Sequence, residues 1–117
     1  MRILCVVAAC AALVGCGSFQ NNSSKSTSVV GQSIGGGSDT KGLSCTGTAT
    51  LTVKWSGSRG TLSVLLATGS TTVHDVAYQA TASQQTSTAT FPAGNYDMVV
   101  GRTSDWNGSY DVNLACP

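Results

Sequence analysis

Between Thr48 and Trp55 the chain alternates strictly. Ala49, Leu51, Val53 and Trp55 share one parity, and Thr48, Thr50, Thr52 and Lys54 take the other. A period of two places one set on each face of an extended strand, so this stretch reads as a strand with one buried and one solvated face. Cys45 has the parity of the apolar set and so faces the core. The pattern repeats down the chain. Leu62, Val64 and Leu66 point inward from a strand over 61–68, which Leu65 marks as covered on both sides. A third strand over 71–78 changes phase between Val73 and Val76, which a bulge near His74-Asp75 explains. Ser87, Ala89 and Phe91 face inward from 86–91, Tyr96, Met98 and Val100 from 95–101, and Tyr110, Val112, Leu114 and Cys116 from 109–116. Turn signals separate them: Ser56-Gly57-Ser58-Arg59-Gly60, Gly69-Ser70 and Pro92-Ala93-Gly94. No segment carries a helical apolar stripe. The expected fold is all-β, a small antiparallel sandwich or barrel of six to seven strands.

Upstream of this region, Met1-Arg2 precedes an apolar run over 3–13 that is too short to cross a bilayer, which takes about 20 residues. The run fits a cleaved export signal. It ends in Leu13-Val14-Gly15-Cys16, which resembles the lipobox of bacterial lipoproteins. The resemblance implies removal of residues 1–15 and lipid on Cys16. Val7-Ala8-Ala9-Cys10 is a looser match that would leave too short an apolar run. The family also implies a bacterial envelope location. Gly17 stands where aspartate often retains such proteins in the inner membrane, which favours the outer one.

That assignment sorts the five cysteines. Cys5 and Cys10 fall in the signal and Cys16 takes lipid, leaving Cys45 and Cys116 for an oxidising compartment where disulfides persist. Both have core parity, one opening the first strand and one closing the last. Their bridge would close a loop of about 70 residues, for which the chain-entropy model gives roughly 4 kcal/mol. A domain this small needs such a staple.

Residues 16–41 are rich in Ser, Gly, Asn and Gln, with few large apolar side chains. Such a composition cannot offset the entropy of ordering. The stretch reads as a tether with an r.m.s. span of roughly 25–30 Å, with a short edge strand at Val29-Val30 as the alternative. Residues 42–117 then form the domain.

The formal charge of +1 includes Arg2, and the remaining cations and aspartates balance. No basic footprint for nucleic acid exists, and membrane attachment falls to the lipid on Cys16. The inventory also argues against catalysis. His74 is the single histidine, no G-x-S-x-G occurs, and five aspartates are scattered. A zinc site lacks ligands once the cysteines are bridged. No catalytic residue, metal or cofactor is expected.

The candidate binding residues are Arg102, Asp105 and Trp106, in a polar loop between the last two strands. Trp and Arg are favoured at binding hot spots, and loops at a sandwich end carry recognition. The alternative is that Trp106 folds back to cap the core. Trp55 reads as core.

Phe91-Pro92-Ala93-Gly94-Asn95-Tyr96-Asp97-Met98-Val99-Val100-Gly101 and Gly108-Ser109-Tyr110-Asp111-Val112-Asn113-Leu114 resemble the last two strands of bacterial pre-peptidase C-terminal domains. Those are accessory β-sandwiches, some of which bind calcium or matrix polymers. Their acidic cluster is absent here, so no calcium site carries over. Leu43-Ser44-Cys45 with the terminal Cys116 is similar, more faintly, to small lysozyme-inhibitor lipoproteins, whose inhibitory loop has no counterpart here. The sequence therefore points to a non-enzymatic envelope lipoprotein displaying a binding or accessory module for an envelope protein or glycan. The alternative is an inhibitor or exclusion lipoprotein acting on a lysozyme-like enzyme, a phage receptor or a conjugation apparatus.

Overall fold

The structure, a computed structural model, describes residues 25–117. Cys16, the signal and the first part of the expected tether lie outside the described residues. Eight strands follow in order: β1 (Lys25–Ile34), β2 (Gly37–Cys45), β3 (Ala49–Arg59), β4 (Thr61–Thr68), β5 (Thr71–Gln79), β6 (Gln85–Phe91), β7 (Gly94–Arg102) and β8 (Asn107–Cys116). They form two antiparallel four-stranded sheets, β1-β8-β3-β6 and β2-β7-β4-β5, which pack as a β-sandwich. The alternation dictates the core. Leu51, Val53, Val112 and Leu114 from the first sheet meet Leu62, Val64, Met98 and Val100 from the second, all essentially inaccessible to solvent.

The expected pairing of Cys45 with Cys116 is present, with the Cα atoms 5.7 Å apart. Cys45 ends β2 in one sheet and Cys116 ends β8 in the other, so the bridge clamps the sheets at one end. The register shift in β5 is also present. Leu66 faces His74 while Ala67 faces Thr72, leaving Val73 as the extra residue.

The expected tether is corrected. Residues 25–34 and 37–45 are strands, not linker, and the domain starts at or before Lys25. Both are edge strands: β1 pairs only with β8 and β2 only with β7. Of β1 and β2, only Val29 and Cys45 are buried. An edge strand can be ordered by one ladder of backbone hydrogen bonds while burying little, a source of order that side-chain composition does not register. The expected turn over 56–60 is likewise shorter. β3 runs on to Arg59 and only Gly60, at φ +94°, separates it from β4.

Candidate functional site

The end of the sandwich away from the disulfide carries the loop expected to bind, and the structure assigns its residues to other work. Trp106 is fully buried. Its amide donates to Thr103 O at 3.0 Å, and its carbonyl accepts from the Gly35 amide at 2.7 Å. Gly60 lets the main chain at Trp106 come this close, because a Cβ on Gly60 would lie 2.5 Å from Trp106 Cα. The binding role expected for Trp106 is thus corrected: it plugs the open end of the core. Asp105 is exposed, but its carboxylate accepts from Thr103 Oγ1 at 2.6 Å and so shapes the turn. Arg102 points inward from β7. Its guanidinium donates to Tyr110 OH at 2.9 Å, lies 5.3 Å from that ring's centre, and contacts Asp39 at 3.3 Å. These three residues lie together and build the closed end of the sandwich.

Trp55, expected in the core, is half-buried. Its ring packs against Tyr78 with centroids 4.5 Å apart, and its indole N–H donates to Gln79 O at 2.9 Å. His74 and Phe91 continue this seam, edge to face at 5.9 Å. The seam closes the gap between the outer strands β5 and β6. His74 also lies 3.2 Å from Tyr78 OH. Burial pulls its pKa below the ordinary value of 6.5, against a smaller upward pull from Asp75. Among the described residues no three His, Cys, Asp or Glu side chains gather into a cluster that could hold a metal ion.

A different surface has the shape of a site. On the outer face of the first sheet, β8 runs between β1 and β3, and its outward side chains form a floor: Asn107, Ser109, Asp111 and Asn113. The register sets the walls. Asp111 sits between Val30 and Lys54, Asn113 between Ser28 and Thr52, and Ser109 between Gln32 and Ser56. Three adjoining hollows lie along this line. One of about 310 Å³ lies around Asn113 and Asp111, one of about 320 Å³ around Asp111 and Ser109, and one of about 460 Å³ reaches Asn107. They share Val30, Lys54, Asp111 and Ser109 where they meet, so they read as one trough. Six residue steps along β8 make it about 20 Å long.

Most of the side chains that line the trough are polar, and they are partly preorganised. Asn113 Nδ2 donates to Ser28 Oγ at 2.7 Å, which fixes the amide plane. The one ion pair among the described residues joins Arg102 to Asp39, so Lys54 and Asp111 are not spent on each other. Val30 stands 67% exposed on one wall. The alternation in the sequence puts Thr52, Lys54, Asp111 and Asn113 on solvated strand faces, whereas residues 28–32 read as tether and Asn107 as loop. The alternation could not bring them together, because β1, β8 and β3 are neighbours only through the sheet order.

No protein-family model matches the chain, and no curated protein matches it. Among solved structures it is similar to a chain of "Structure of infectious bursal disease virus Gx strain", with a TM-score of 0.45 and 9% identity over 81% of this chain and 32% of that one. It spans about a third of the length of that viral chain. It is also similar to a chain of "CBM4 structure and function", with a TM-score of 0.42 and 17% identity over 76% of this chain and 77% of that one.

Proposed function

We propose that this chain is a non-enzymatic lipoprotein of the bacterial envelope that displays its sandwich as a binding module, with the trough along β8 as the binding surface. The trough carries the reading: a long, open depression on a sheet, lined mostly by polar side chains, with Trp55 and Tyr110 beneath its middle part. The lipobox at Leu13-Val14-Gly15-Cys16 supports the anchor, with Gly17 favouring the outer membrane.

The anchored geometry differs from a long tether. Only residues 17–24 separate Cys16 from β1, and a stretch of that length spans at most about 28 Å. Lys25 lies opposite Cys116 at the disulfide end. That end therefore sits near the bilayer, and the Asn107 end of the trough points away from it.

Two measurements test this function. Metabolic labelling with a clickable fatty acid should mark the wild type and leave Cys16→Ala unmarked; equal labelling of both ends the anchor. Envelope extract passed over the immobilised full chain should leave a component that Ser109→Arg, which fills the trough floor, fails to hold. Identical eluates from the two end the binding role.

A further inference from the structure

We infer that the occupant of the trough is a linear, uncharged polysaccharide. This rests on the binding-module reading and names the ligand class for that surface. Charge is the first argument. The trough holds one cation, Lys54, directly opposite one anion, Asp111, and otherwise only neutral side chains. A polyanion would meet Asp111 and a polycation Lys54, and neither would find a surplus of opposite charge.

The spacing of polar groups is the second argument. Outward side chains repeat at about 6.7 Å along each strand and about 4.8 Å between strands. Asn, Asp, Ser and Lys thus offer donors and acceptors at the density at which a sugar chain offers hydroxyls. Asn113 is oriented by Ser28 and keeps its carbonyl oxygen as an acceptor. The Asp111 carboxylate accepts from hydroxyls by charge-assisted bonds, and Lys54 donates. Val30, exposed beside them, meets the C–H face of a ring.

Shape is the third argument. The trough is open along its length and about 20 Å long, which suits an inner segment of a chain more than a chain end. An extended peptide fits less well. The β8 backbone is paired on both sides, to β1 and β3, so no strand can be added at the floor.

The test uses the purified full chain in detergent against insoluble cellulose, chitin and curdlan, with polygalacturonate and heparin as charged polymers. Retention on at least one neutral polymer is expected, persisting in about 1 M salt, where the Debye length is about 3 Å. Asp111→Ala should weaken it at least about tenfold, as the loss of a charge-assisted hydrogen bond implies. Ser109→Arg should abolish it, and Thr90→Ala on β6 should leave it intact. Melting temperatures of all three variants check that the fold survives, since none of these side chains enters the core. Absence of retention on every neutral polymer overturns the inference, as does retention that Asp111→Ala and Ser109→Arg leave unchanged, or binding confined to the charged polymers. A protein held by the wild type and released by Ser109→Arg, without polysaccharide retention, would keep the binding module and overturn the ligand class.

Discussion

Arg102 on β7 donates to the hydroxyl of Tyr110 on β8, and so joins the two sheets across the closed end of the sandwich. Gly31 leaves room for that hydroxyl, since a Cβ there would stand 2.8 Å from it. Hydrogen bonds to a charged group contribute about 1.5–3 kcal/mol when shielded from water. Tyr110→Phe keeps the ring and removes the acceptor. It should cost about 1–2 kcal/mol in urea unfolding, toward the lower end because other partners of Arg102 remain. An unchanged midpoint would mean that the pair contributes packing alone.

The buried Trp106 sets a second expectation. Trp106→Ala should cost about 3–5 kcal/mol, the range for emptying a large aromatic site in a core. That is a large share of the stability of a domain this size. Trp106→Phe should cost less, because the indole N–H has no partner to lose. Thermal melts followed by circular dichroism distinguish this from a surface role, under which both variants would melt with the wild type.

Removal of the disulfide should destabilise the fold on a scale comparable to emptying the Trp106 site. Cys45 and Cys116 are separated by 71 residues. The chain-entropy model assigns such a loop roughly 4 kcal/mol, and typical measured values run about 2–4 kcal/mol. Urea titrations of the protein with and without reductant should show a lower midpoint on reduction, and Cys45→Ala with Cys116→Ala should match the reduced form.

His74 gives the fold a pH dependence of known sign. Its pKa is lower folded than unfolded, because burial disfavours the imidazolium. Between the folded and unfolded values the unfolded chain binds more protons, so stability rises with pH there. The contribution is fully present above the ordinary value of 6.5 and is lost as pH falls through the folded value. The melting temperature should therefore drop on acidification below about pH 6.5, and His74→Gln should flatten that slope. A slope that survives the substitution would place the proton elsewhere.

What the sequence made legible follows what each residue buries. Leu51, Val53, Val112 and Leu114 sit in central strands with full alternation, and their inward placement was readable from the pattern alone. The parity of Cys45 and Cys116 was readable for the same reason. β1 and β2 were not, because an edge strand such as Gly37–Cys45 presents mostly exposed side chains and owes its order to backbone pairing with β7. The two tryptophans show the other limit. Trp55 has strand parity yet lies at the seam between the outer strands, where its inward face is only half covered. Trp106 has no periodic neighbours at all, and its inward direction is set by hydrogen bonds from Gly35 and to Thr103. Parity states which face a side chain takes, not how deep that face lies. The trough was illegible for a topological reason: Val30, Asp111 and Lys54 meet only once β8 is known to lie between β1 and β3.

The placement of the first strand beside the last has a mechanical consequence. β1 is held along one side, and its first rung is Lys25 opposite Cys116. With the opposing force borne at Cys116, tension applied at Lys25 opens the rungs one after another toward Ile34 and Asn107, as a zipper opens, instead of shearing them together. One wall of the trough, with Val30 and Gln32, is stripped away in that motion. Cys45 ends it. Tied to Cys116, it lets only residues 25–45 run out, about 70 Å of chain, and the strands beyond stay shut. A molecule pulled between Lys25 and Cys116 would therefore lose one wall of the trough and yield in length, while the strands beyond Cys45 remain folded.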